Sequence, residues 1–155
     1  MFKKILVGLV VVVLVGLLVI QLVPYGRDHT NPPVVSAPQW DSETTRELVV
    51  AACYDCHSNE TVWPWYSNVA PMSWLVQRDV DEGRQVLNFS RWGQGEQEAD
   101  DIAEVILEGE MPPAQYVILH PSARLDEAEK QQLLDGLRRS LGAGFEGEEG
   151  ERDDD

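Results

Sequence analysis

The chain has 155 residues, of which 12 are basic and 27 acidic, for a formal net charge of −15. That balance excludes the basic face nucleic acid requires and disfavours docking on anionic lipid headgroups. Two cysteines are too few for a disulfide-built scaffold, and the length suits one domain.

The chain opens with an apolar run. Ile5 to Ile20 carries no polar side chain, and the apolar character continues past Gln21 to Val23. At 1.5 Å per residue such a run is about 28 Å long, close to the hydrocarbon thickness of a bilayer. A cleaved secretory leader would be shorter and end at small residues; here the run ends in Val23-Pro24-Tyr25-Gly26-Arg27. Residues 1–23 are therefore expected to form one uncleaved transmembrane helix. Lys3 and Lys4 precede it and acidic residues dominate after it, so the positive-inside rule places residues 24–155 outside the cytoplasm. In a bacterial inner membrane that is the periplasmic side.

Residues 24–39 contain four prolines and read as an extended spacer able to hold a domain up to roughly 50 Å from the membrane. Residues 40–141 form the folded part. Four helical patterns fit it. The first runs from about Ser42 to Cys53, with Asp41 or Ser42 as cap and Leu48, Val49 and Ala52 near one face. The second follows Pro71 and carries Leu75, Val76, Val80 and Val86, with Gly83 as an interior weak point. The third spans about Glu96 to Glu108 and stops at Gly109. The fourth starts at Asp126, where Asp-x-x-Glu129 makes a capping box, and ends at Gly142. Between the first two, Thr61 to Pro71 concentrates aromatics and prolines that no regular helix would hold. Tyr116 to Leu119 is the best, though poor, strand signal. The expected fold is a small all-α domain with long loops. Residues 142–155, glycine and acid, cannot bury enough apolar surface to order themselves.

Both cysteines fall in Cys53-Tyr54-Asp55-Cys56-His57. This is the C-x-x-C-H pattern of covalent haem attachment. Positions i and i+3 share a helical face, so two thiols can reach the two vinyl groups of one haem while the adjacent imidazole takes the iron. A thioredoxin-like dithiol would need a βαβ setting. A structural zinc would need four ligands, and only His29 and His120 remain. A plain disulfide leaves His57 unexplained.

The second axial position has three candidate side chains, or stays open. Met72 has the helical spacing of a core residue. His120 stands before Pro121 in a loop. Met111 lies in Gly109-Glu110-Met111-Pro112-Pro113, where two prolines stiffen the loop that presents its thioether. Met111 is the expected ligand.

Three stretches, CYDCHSNET followed by WPWYSNVAPMSW, then DVDEGRQVLNFSRW, then GEMPPAQYVILHPSARL, resemble the bacterial haem-binding domain family of small, membrane-anchored monohaem c-type cytochromes. The resemblance covers residues 40–141. It implies a cytochrome c-like helical domain with one covalent haem c on Cys53 and Cys56, with His57 as proximal and Met111 as distal ligand. Trp63, Trp65, Tyr66 and Trp92 are candidates to wall the haem, and Arg84, Arg91, Trp92 and Tyr116 to reach its propionates. The expected role is single-electron transfer between redox partner proteins, not catalysis and not nucleic-acid binding. The alternatives are a peroxidase-like enzyme or gas sensor using His120, and an anchored protein with a Cys53–Cys56 disulfide.

Overall fold

The computed structural model describes residues 2–94 and 101–142, and among these every regular element is helical. The elements are α1 (Phe2–Ile20), α2 (Glu43–Ala52), α3 (Tyr54–His57), α4 (Met72–Val86), α5 (Ile102–Leu107), α6 (Ala114–Leu119) and α7 (Glu127–Leu141). Two short 3-10 turns, Trp65–Asn68 and Pro121–Ala123, lie in the loops. Helix α1 is 19 residues long with a mean hydropathy of 2.7, long and apolar enough to cross a membrane, and none of it is buried in the protein.

The caps explain where the main helices start. Ser42 accepts the Thr45 amide at 3.1 Å to begin α2. Asp126 and Glu129 make the reciprocal capping box of α7, both bonds at 2.8 Å. Gly142, at φ +67°, closes α7. Helix α4 carries Val80 and Gly83 on its buried side. The core joins Val49, Tyr54, Ile102, Ile106, Leu133, Leu134 and Leu137 to Leu87 and Phe89 from the loop after α4. Phe89 is its aromatic centre, 5.5 Å from Trp40 and 5.7 Å from Tyr54, ring centre to ring centre. Helices α2 and α7 cross at Gly136, where any side chain would overlap Thr45.

The first helix runs from its Ser42 cap to the motif as expected: α2 stops at Ala52, and Cys53 (φ −127°) separates it from α3. Two expectations change. Tyr116 to Leu119 is helical, not extended, because the Tyr116 and Val117 amides close a turn onto the Pro113 carbonyl. Residues 24–39 are extended but are no free spacer. Ser36 forms a lone parallel bridge with Arg91, Asn31 donates to the Thr61 carbonyl, and His29 stacks on Trp63 at 4.7 Å. At the end of α1, the Gln21 amide bonds both the carbonyl and the N–H of Ala70, at 2.9 and 3.0 Å. Polar side chains in a proline-rich segment found partners in the folded part, so the segment became a strap. The amino-terminal half of the expected third helix and the acidic tail beyond 142 lie outside the described residues.

Candidate functional site

The C-x-x-C-H segment sits where α2 hands over to α3. The Cys53 carbonyl accepts both the Cys56 amide at 3.2 Å and the His57 amide at 2.8 Å, so the five residues close one helical turn. The two sulfurs are free thiols. Burial pushes each thiol up to about 12, and the charges of Asp79 and Asp55 add to this at Cys56.

A second segment fixes this turn from behind. The Phe89 amide donates to the His57 carbonyl at 2.8 Å. The Asn88 side chain donates to Asn59 at 2.9 Å, and the Asn59 amide donates to the Ser90 hydroxyl at 2.9 Å. The Leu87 carbonyl lies 3.2 Å from His57 Nδ1. With the proton on Nδ1 donated there, Nε2 carries the lone pair a metal needs. Burial lowers the His57 pKa, although the Leu87 and Gly83 carbonyls act the other way, so the imidazole is neutral and ready to ligate.

Gly83 explains how α4 comes so close. A Cβ there would lie 2.7 Å from the Cys56 carbonyl oxygen and 3.0 Å from the Cys56 Cβ. The glycine that weakens the helical pattern is the one that admits the motif.

An apolar groove opens beside the turn. Its largest section, about 340 Å³, is lined by Cys53, Cys56, His57, Gly83, Val86, Met111 and Tyr116, among others. A section of about 170 Å³ adds Leu87, Phe89, Ile102, Val105 and Ile106, and one of about 140 Å³ adds Val117 and Leu133. All three share Ala52, Cys53 and Met111, and their sizes suit an organic cofactor. Charge is divided along it: Asp55, Asp79 and Glu82 line the largest section, Arg124 and Lys130 the smallest. Among the described residues no group of three or more His, Cys, Asp or Glu is placed to hold a metal ion, which leaves an all-protein zinc centre without its ligands.

The structure therefore gathers Cys53, Cys56, His57 and Met111 on one groove. Residues 15–139 match the haem-binding domain family. The chain belongs to that family. No curated protein and no solved structure matches it. The donor set fits a haem: two thiols on one turn, a neutral imidazole of fixed tautomer, and a thioether beside an aliphatic wall.

Several expected haem contacts sit elsewhere. Trp63 stacks on His29 and donates to Asn31 at 3.1 Å, and Trp65 is 80% exposed. Trp92 stacks on Phe89 in the core. Apart from Phe89 and Tyr116, the apolar lining is aliphatic, because those tryptophans serve the strap and core. Arg84 is committed too: it donates to Ser58, Thr30, Asn31 and Thr61 at 2.7 to 3.1 Å, tying the strap to the motif loop. His120 lines an adjoining cavity of about 40 Å³ with Tyr66, which shares Asp55, Cys56, Asp79 and Tyr116 with the largest section, and Met72 is not among the groove's lining residues. Sequence reasoning missed Asp55, Leu87, Asn88, Ser90, Arg124 and Lys130. The quoted L-N-F-S stretch was the available signal for three of them.

Proposed function

We propose that this haem protein is a single-pass, membrane-anchored c-type cytochrome, with one haem held covalently by Cys53 and Cys56, that relays single electrons on the periplasmic side of a bacterial inner membrane. The supporting observation is the convergence of two thiols, an imidazole with Nδ1 tied to the Leu87 carbonyl, and one thioether on a single apolar groove. In this reading each thiol adds across one vinyl double bond, sulfur to one carbon and hydrogen to the other, so attachment consumes no oxidant. His57 offers Nε2 as proximal ligand. Met111 offers the distal thioether, a ligand that raises the potential relative to histidine. Haem bound there supplies a one-electron carrier. Val86, Leu87, Val105 and Ile106 exclude water from the site, and the carrier role needs no substrate pocket. Helix α1, preceded by Lys3 and Lys4, is the anchor. The partners are other redox proteins, and an acidic carrier favours basic ones.

The test is haem staining of the full chain after denaturing electrophoresis, following expression with a c-type maturation system. Stain that co-migrates with the chain and disappears in a Cys53→Ala/Cys56→Ala double variant is expected; a chain that carries none refutes the proposal. A ferrous protein that binds carbon monoxide as fast as a five-coordinate haem would refute the carrier role.

A further inference from the structure

Met111 is 38% exposed, and its loop is fixed at both ends. On one side the Glu110 and Met111 amides both donate to the Val105 carbonyl, at 2.9 and 3.0 Å. On the other, Pro112 and Pro113 lead directly into α6. Helix α6 has no fully buried residue; Tyr116 and Val117 are half-buried, so apolar packing holds it only partly. Among the described residues its short long-range polar bond is that of the Tyr116 hydroxyl, which donates to Asp55 Oδ2 at 2.7 Å, with a longer contact of 3.4 Å between His120 Nε2 and the Tyr66 hydroxyl at its end. Asp55 lies between the two cysteines, and its other oxygen accepts the Val62 amide at 2.9 Å, so the acceptor is itself fixed. His120 backs the Tyr116 ring, stacked at 4.0 Å, with its Nδ1 3.1 Å from the Tyr116 carbonyl. Burial and the Asp55 charge push the Tyr116 phenol far upward, so it stays a donor at any physiological pH.

We propose that the Tyr116–Asp55 hydrogen bond is a latch that positions Met111 as an axial ligand, tying the loop that carries the distal side of the site to the turn that carries the proximal side. Tyr116 is a positioning residue, acting through Met111. The inference rests on the reading of Met111 as distal ligand. A thioether is a weak ligand on an exposed loop, and its occupancy depends on how rarely that loop opens. A hydrogen bond to a carboxylate shifts such an opening equilibrium by roughly ten- to a hundredfold.

The experiment compares the haem-loaded full chain with Tyr116→Phe, Asp55→Asn, the double variant and Met111→Ala. The readouts are the ferric methionine–iron charge-transfer band and the rate of carbon monoxide binding to the ferrous form. Tyr116→Phe and Asp55→Asn are each expected to keep covalent haem, weaken the band and speed carbon monoxide binding by about ten- to a hundredfold. The double variant should exceed neither, because both changes remove the same bond. Loss of the band in Met111→Ala with a wild-type band and rate in Tyr116→Phe overturns the latch and leaves the proposed function standing. A Met111→Ala protein that keeps the band overturns the ligand reading and the latch with it.

Discussion

Gly83→Ala separates helix propensity from the requirements of the site. In an ordinary helix interior the change stabilises by about 1 kcal/mol, because alanine costs less backbone entropy. Here the new Cβ would meet the Cys56 carbonyl oxygen at 2.7 Å and the Cys56 carbonyl carbon and Cβ at 3.0 Å. Two of those atoms are backbone, held in the motif turn by the bonds to the Cys53 carbonyl, so no flexible side chain can yield. Overpacking of that kind costs about 1–3 kcal/mol, and rigid backbone neighbours put this case in the upper half of the range. The net expectation is a loss of about 1–2 kcal/mol of folding stability. The Leu87 carbonyl that holds His57 Nδ1 follows directly after α4, so the displaced helix should also disturb the imidazole. Urea unfolding of the haem-free chain measures the first effect, and the yield of haem stain after maturation measures the second. A Gly83→Ala protein that is stabilised by about 1 kcal/mol, as propensity alone dictates, with an unchanged haem yield, would refute the close-approach argument.

In the haem-free folded chain, Cys53 and Cys56 should react slowly with iodoacetamide at pH 8, since burial pushes both up to about 12 and leaves roughly one thiolate in ten thousand; alkylation at the unfolded rate would contradict this. Because these thiols ionise less readily folded than unfolded, the stability they confer is complete below about pH 8.5 and is lost as pH rises toward 12, measurable as a falling urea midpoint. Arg84→Ala removes the four bonds from the strap and motif loop to one guanidinium; a loss of about 2 kcal/mol and faster proteolysis between residues 27 and 36 are expected, and unchanged cleavage would show the strap held by other contacts. Asp126→Ala deletes one side of the α7 capping box and should cost about 1 kcal/mol, read as a lower thermal midpoint.

The helices legible in the sequence were those whose information is local. Ser42 and Asp126 announce their helices because a cap acts within three residues. The C-x-x-C-H turn is legible for the same reason: its spacing is its geometry. Illegible features depend on partners far along the chain. Nothing near Leu87 shows that its carbonyl will meet His57, 30 residues earlier. Nothing near Tyr116 shows that it will reach Asp55, 61 residues back. The aromatic segment misled for a related reason. Aromatic side chains must be covered, but composition does not say by what, and here His29 and Asn31 of the strap cover Trp63. Gly83 looked like a flaw in α4 because helix propensity counts only the helix, whereas its value lies in the Cys56 backbone beside it.

The strap also bonds along the folded part. The resemblance read from motifs covers residues 40–141, and the family match covers residues 15–139. Gln21, just past α1, satisfies both backbone groups of Ala70 and accepts from Arg27 at 2.9 Å. Gly26, at φ +77°, passes so close to the Ser73 carbonyl that no side chain would fit. Ser36 bonds Trp92 through both its carbonyl and its hydroxyl. The segment thus closes one side of the motif's support, and its extended form serves pairing, not reach. If α1 spans a bilayer as proposed, the domain is seated on the end of its anchor, not hung roughly 50 Å away on a polyproline arm. A partner would then have to meet the haem close to the membrane surface, where a large acidic protein on a long tether would not have confined it.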